Sequence, residues 1–141
     1  MTPDRAQDFL SAQDRVWDNV LRELTAGQKT SHWMWFVFPQ LASLGRSHNA
    51  QFYGIANLTE AEHYLRHPIL GPRLREVTRL VADHAGKPAR DILGDVDAIK
   101  LRSSMTLIEA CNEDVEPFSR LLETFFDGER CPLTAAVLSG N

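Results

Sequence analysis

Apolar residues recur every three or four positions near the start of the chain, which predicts an amphipathic helix over residues 4–26. Gly27 is expected to end this helix as its C-cap, and Asp4 to cap its start. The apolar stripe is typical of the core-facing side of an ordinary helix, and it consists of Phe9, Val16, Val20 and Leu24.

The segment 31–41 (SHWMWFVFPQL) holds two of the three tryptophans and two of the seven phenylalanines. It is apolar nearly throughout, so periodicity does not separate a buried helix from a buried strand. Its Trp, Phe and Val residues favour a strand, but no other segment offers the two-residue alternation of a partner strand. We therefore predict a short buried helix that ends before Pro39, since the residue before a proline is kept out of the α region.

Further helices are predicted from stripes and from capping residues. Ser47 is expected to cap a short helix that stops at Gly54, Thr59 to open the next helix in a capping box with Glu62, and Asp97 to cap a helix that runs to Asn112. The other helices are expected at 70–86, at 118–126 and, as a short one, at 134–138. The prediction is an all-α fold, a compact single-domain bundle of about six or seven helices over residues 1–141.

The composition is that of an ordinary globular protein, and 141 residues suffice for one core without disulfides or a metal. Cys111 and Cys131 have neither a CxxC spacing nor histidines at ligand spacing, so we expect no zinc, no cofactor and a reducing compartment. His63 and His67 stand one helical turn apart without a nearby carboxylate, so no metal site is expected there. With neither a basic leader nor an apolar run of membrane-spanning length, a cytoplasmic location with no membrane association is expected.

Charge is distributed unevenly along the chain. The net charge of −4 argues against general nucleic-acid binding, which needs clustered Lys and Arg. Two stretches contain no acidic residue, 24–59 and 98–108, whereas 109–129 is rich in acids. The surface is therefore expected to be polarised, with the positive side supplied by the two acid-free stretches.

The first acid-free stretch carries the aromatic candidates. His32 is either a core histidine bonded to a loop carbonyl or a general acid or base, since histidine titrates near neutral pH. Trp33 and Trp35 point about 200° apart on a helix, so they do not both face the same core and one of them is a candidate pocket residue. Gln40, Arg46 and Tyr53 follow in the same stretch as candidates for ligand contacts.

The second acid-free stretch carries the anion-binding candidates. Lys100, Ser103 and Ser104 stand at i, i+3 and i+4, so on a helix they share one face. A lysine with two hydroxyls suits a phosphate or a carboxylate, and Arg102 on the adjacent face is a further candidate. The alternative is a solvated face whose serines bond back to the preceding turn.

These residues resemble a known family. Matching strings occur in order along nearly the whole chain, at 31–41, 53–55, 67–68, 70–74 and 100–107 (KLRSSMTL), and they resemble domain-of-unknown-function family 1810. Ile108 departs from the phenylalanine usual in that family. The resemblance implies a mainly helical bacterial domain with one central helix surrounded by the others, and no established activity. The label calpastatin, sometimes attached to such proteins, has no support in these residues.

Two hypotheses follow. The first is a site for an anionic small molecule with a flat ring, of nucleotide or ADP-ribose type, with His32 as the proton-transfer candidate. A looser similarity to helical proteins that handle ADP-ribose favours it. The second is a helical interaction module without catalytic activity, whose acidic C-terminal helices meet a basic partner. Both an enzyme and a binding protein are compatible with the residues, as is any oligomeric state.

Overall fold

The computed structural model describes residues 1–140, and within them the chain is all-α, as predicted. It forms nine α-helices and one short 3-10 turn at Ala42–Leu44: α1 (Pro3–Ala26), α2 (Met34–Val37), α3 (His48–Phe52), α4 (Leu58–Arg66), α5 (Leu70–Ala82), α6 (Ala89–Leu93), α7 (Asp95–Glu109), α8 (Glu116–Phe126) and α9 (Pro132–Leu138). The number exceeds the predicted six or seven, and the helix that no pattern predicted is α6, whose five residues are too few to display a helical period.

The long first helix is capped at both ends. Thr2, and not Asp4 as predicted, is the N-cap, because its side-chain oxygen accepts the N–H of Arg5 at 3.2 Å. At the other end Gly27 adopts the left-handed conformation, with φ of 74°, as the predicted C-cap. A residue with a Cβ is strained in that conformation, so glycine is favoured there.

Other helix starts test the capping predictions. Ser47 caps α3 as expected, since its hydroxyl accepts the N–H of Ala50 at 3.1 Å. The predicted start of α4 at Thr59 is wrong, because the Asn57 side chain accepts the N–H of Glu60 at 2.9 Å and the helix begins earlier. The predicted cap at Asp97 is also wrong, since α7 begins at Asp95 and places Asp97 inside its first turn.

Helix α7 is the central helix that the resemblance implied. It packs against α4, α6, α8 and α9. Leu101, Met105 and Ile108 are fully buried, as the pattern predicted, and its hydroxyl residues Ser103, Ser104 and Thr106 are buried as well. A helix enclosed on most sides shows a weak apolar stripe, because nearly every face meets protein.

Residues 40–55 form a segment whose two ends are held together. Leu41 and Ile55 pair in an isolated parallel bridge, in which Ile55 donates to the carbonyl of Gln40 at 2.7 Å. The 3-10 turn and α3 lie inside this segment. Gly54 passes so close to the turn that a Cβ there would lie 2.4 Å from the Cα of Ala42, so only glycine fits. None of the helices in residues 1–140 has the length and apolar character needed to cross a membrane.

Candidate functional site

A pocket of about 390 Å³ opens between the 40–55 segment and the start of α7. Helix α2 and the first turn of α9 complete its walls. Six of the ten residues proposed from the sequence line it: Trp35, Gln40, Arg46, Tyr53, Lys100 and Ser103. The structure therefore brings the two acid-free stretches together around one cavity.

Lys100 and Trp35 meet across this pocket. The Nζ of Lys100 lies 5.2 Å from the centroid of the Trp35 ring, within the range of a cation–π contact. Lys100 also faces one carboxylate, because its Nζ lies 3.7 Å from an oxygen of Asp97. That distance leaves the ammonium only loosely paired.

Asp97 makes its closer contact with another cation. Its second oxygen lies 2.7 Å from the Nζ of Lys29, whose side chain is almost entirely buried. Lys29 also donates to the carbonyl of Ser31 at 2.6 Å. Asp97 is thus shared between two ammonium groups, and none of the pocket-lining residues within 1–140 is acidic. With Arg46 also on the lining, the pocket carries an excess of positive charge.

A buried carboxylate fixes the turn that leads into α2. Glu23 accepts hydrogen bonds from the N–H of Thr30 at 2.7 Å, from the N–H and hydroxyl of Ser31 at 3.0 and 2.5 Å, and from the indole N–H of Trp33 at 3.1 Å. Burial by itself raises the pKa of this carboxyl, but the hydrogen bonds outweigh it and lower the pKa to about 2. The network holds the chain immediately before Trp35, and so helps to aim that ring.

His32 and Trp33 do not reach the pocket. His32 is exposed, which corrects the expectation of a buried histidine, because it lies in the turn before α2 and not within the apolar helix. Trp33 is fully buried and donates its indole N–H to Glu23, so it belongs to the core. Of the two tryptophans proposed for the site, the structure places only Trp35 on the pocket wall.

Arg102 and Ser104 also lie outside the pocket. Arg102 extends towards Glu129, with 3.8 Å between its guanidinium and the carboxylate. Ser104 is fully buried, and its hydroxyl has no hydrogen-bond partner among residues 1–140. Adjacent residues on a helix differ in direction by about 100°, so Lys100 and Ser103 reach the cavity while these two point elsewhere.

The sequence interpretation missed one pocket residue with distinctive chemistry, Cys131. It precedes α9 and lies beside Ser103 and Thr134, whose hydroxyls are 2.9 Å apart. Burial raises the pKa of the thiol, but hydrogen bonds from these two hydroxyls and from the N–H groups of Thr134 and Leu133 bring the pKa below its usual value. Two features of the sequence could have indicated Cys131. It stands directly before Pro132, a residue favoured in the first turn of a helix, and Thr134 follows three positions later with a hydroxyl group.

His63 and His67, which stand one helical turn apart, each make a contact with another part of the protein. Within residues 1–140 no group of three or more His, Cys, Asp or Glu side chains is placed to hold a metal ion. The Nδ1 of His67 accepts the N–H groups of Ile69 and Leu70, at the start of α5, at 3.1 and 3.2 Å. His63 contacts the terminal amine of Met1.

The fold and the pocket together define an all-α protein with a central helix and a cationic, aromatic cavity at its start. A family model described as "Protein of unknown function (DUF1810)" matches residues 3–138, and the chain belongs to this family. It is similar to the conserved hypothetical protein Rv1873 from Mycobacterium tuberculosis, known from a crystal structure, with 44% identity and a TM-score of 0.96 over 99% of this chain and 100% of that chain. No curated protein matches the chain.

Proposed function

We propose that this protein binds an anionic small molecule with a flat ring, of nucleotide or ADP-ribose type, in the pocket between α7 and the 40–55 segment. One observation carries the proposal. The ammonium of Lys100 lies 5.2 Å from the Trp35 ring centroid, in a cavity whose described lining contains no acidic side chain. A cation and an aromatic face side by side are the two groups that a phosphorylated ring compound needs.

Each lining residue has a defined role in this proposal. Lys100 and Arg46 counter the negative charge, and Ser103 and Gln40 supply polar groups that orient the ligand. Trp35 provides the stacking face. Tyr53 is the second candidate, but its ring already contacts Phe9, Phe36 and Phe52 at centroid distances of 5.6, 5.3 and 4.8 Å, so it mainly supports the wall.

The size of the cavity fits a small molecule. Its volume of about 390 Å³ lies at the lower end of the range of roughly 300–1,000 Å³ that is typical of ligand pockets. We assign binding and no reaction to this site. His32, the proton-transfer candidate, is exposed and outside the pocket, so it has no part in the proposal.

The alternative is an interaction module whose acidic C-terminal face meets a basic partner. On that face, Glu116 pairs with Arg120 at 2.5 Å, and Glu123 pairs with Arg130 at 3.0 Å. Arg130 also binds Glu109, which lowers the pKa of that carboxyl. These pairs neutralise part of the acidic surface, so we prefer the ligand-binding proposal.

We further propose that residues 1–141 form one domain and that the protein is cytoplasmic. A single hydrophobic core that joins α1 to α8 supports the first statement. Two free thiols support the second, since a reducing compartment keeps cysteines in that state.

The test is a thermal-shift screen against AMP, ADP-ribose, NAD and inorganic phosphate. Lys100→Met removes the charge and keeps a hydrocarbon stem beside Trp35, so it is the informative variant. Lys87→Met is the matched control, because Lys87 donates to the carbonyl of Gly27 and does not line the pocket.

We expect a saturable rise in Tm with at least one nucleotide, lost in Lys100→Met and retained in Lys87→Met. If none of the compounds changes the Tm, or if the rise is the same in Lys100→Met, the proposal is wrong.

A further inference from the structure

Exposed hydrophobic side chains are concentrated at the mouth of the pocket. Residues 1–140 leave six large hydrophobic residues exposed, and three of them line this cavity. These three are Val96, Ile99 and Leu133, with 66%, 63% and 66% of their surface accessible. We call them the apolar lip.

The apolar lip is continuous with the cationic part of the pocket. Val96 and Ile99 stand at i and i+3 in the first turns of α7, and Ile99 is followed directly by Lys100. Leu133 lies in the first turn of α9, which packs against α7. A ligand held at Lys100 therefore has an apolar surface within reach on the same side of α7.

The groups around the lip favour a small amphipathic ligand over a protein partner. Lysine is depleted in the centres of protein interfaces, yet Lys100 adjoins Ile99 here. The surface is also the edge of a cavity and not a flat face. The ribose and phosphate of an unsubstituted nucleotide are polar, so such a ligand would leave these three side chains in water.

We propose that the pocket's ligand carries a hydrocarbon substituent beside its anionic group, and that this substituent lies on the apolar lip. The inference rests on the proposed function and narrows it to amphipathic anions, such as a nucleotide esterified through its phosphate. Charge complementarity holds the phosphate at Lys100 and Arg46, and burial of the substituent removes Val96, Ile99 and Leu133 from water.

The experiment measures the dissociation constants of the methyl, butyl and hexyl esters of AMP by titration calorimetry. All three esters carry the same charge, so chain length is the only variable. We expect affinity to rise roughly fourfold for each methylene that is buried, until the lip is covered. The informative variant is Ile99→Gln with Leu133→Gln. It should abolish the gain with chain length, so that the hexyl and methyl esters bind the double variant with about equal affinity.

A matched control comes from the same chain. Ile69→Gln changes an exposed hydrophobic residue, 45% accessible, that does not line the pocket. It should preserve the full dependence on chain length. Circular dichroism of both variants verifies that these surface changes leave the helices intact.

The outcomes separate the two proposals. If the methyl ester binds but longer chains bind no more tightly, the inference about the lip is overturned and the proposed function stands. If no ester binds, the inference about the lip is overturned, and the thermal-shift screen decides the proposed function separately. If ultracentrifugation finds a dimer that the double variant dissociates, a second copy of the chain covers the lip, which also overturns the inference.

Discussion

Lys100 and Trp35 lie in different halves of the chain, yet the Lys100 Nζ is 5.2 Å from the centroid of the Trp35 ring. Each belongs to a stretch without acidic residues, and the pocket that the two stretches line carries an excess of positive charge from Lys100 and Arg46. The only carboxylate near this ammonium, within the described chain, is that of Asp97, which lies closer to Lys29. This relationship underlies the predictions that follow.

Replacing Asp97 is expected to strengthen anion binding while weakening the fold. Asp97→Asn frees Lys100 from its loose partner, so the dissociation constant for a phosphorylated ligand should fall several-fold at low salt. The same change removes the 2.7 Å contact to the buried Lys29, so the Tm without ligand should fall. Calorimetry and thermal unfolding measure the two effects.

Asp95→Asn is the control for that prediction, because Asp95 is an exposed acid in the same helical turn and outside the pocket. It should change neither the dissociation constant of the phosphorylated ligand nor the Tm without ligand by much. Weaker anion binding in Asp97→Asn would contradict the electrostatic account of the pocket.

Glu23→Gln is expected to destabilise the protein in a pH-dependent way. The pKa of Glu23 falls from 4.5 to about 2 on folding, which corresponds to roughly 3 kcal/mol of stability at neutral pH. Because the folded-state pKa is the lower one, this contribution is complete above about pH 5 and is lost as the pH falls towards 2. Urea unfolding of both proteins between pH 6 and pH 2.5 measures the difference.

Glu129→Gln provides the comparison, because Glu129 is exposed and its carboxylate lies a long 3.8 Å from the guanidinium of Arg102. Its effect should stay within about 1 kcal/mol, the usual range for surface pairs. A difference between wild type and Glu23→Gln that is as large at pH 2.5 as at pH 6 would refute the role given to the ionised Glu23.

Gly54→Ala should disturb the pocket wall. The added Cβ would lie 2.4 Å from the Cα of Ala42 and 2.7 Å from the carbonyl oxygen of Ala50, so the backbone must move. Overpacking of this kind costs about 1–3 kcal/mol. Gly86→Ala, whose Cβ would meet none of the described residues within 4 Å, should be neutral or slightly stabilising. Equal stability of the two variants in denaturant unfolding would contradict this geometry.

The two thiols should differ in reactivity. The pKa of Cys131 is lowered by its hydrogen bonds, whereas burial, Glu62 and Glu113 raise the pKa of Cys111 to about 12. Iodoacetamide near neutral pH should therefore label Cys131 first, with peptide mass spectrometry to identify the site. Cys131→Ser should abolish the fast reaction, and a pocket ligand should slow it. Labelling of Cys111 at the same rate would contradict the assignment.

The long helices were predictable because their apolar residues repeat over several turns, as in α1 with Phe9, Val20 and Leu24. Their caps were harder to predict. Asn57 and Thr59 are both good caps two residues apart, and the structure uses the first. The four-residue helix α2 was predicted because no other segment offered a partner strand, and Pro39 indicated where it ends.

The candidate site was predictable in part, because the two stretches without acidic residues form the walls of the pocket. The absence of acids drew attention to both walls, including Lys100 and Arg46. Which residues of α7 face the cavity depends on the rotation of that helix against its neighbours, so Ser103 and Ser104 were not separable from spacing alone. Cys131 lies far from both stretches in sequence and reaches the pocket only through the packing of α9 on α7.

The most direct test of the pocket assignment is a crystal structure with the nucleotide that gives the largest thermal shift. The account predicts a phosphate oxygen within hydrogen-bond distance of Lys100 or Arg46 and a ring against Trp35. Residues 1–140 also form a smaller groove that Met1, His63 and His67 help to line, and a nucleotide bound there in place of the pocket would contradict the account.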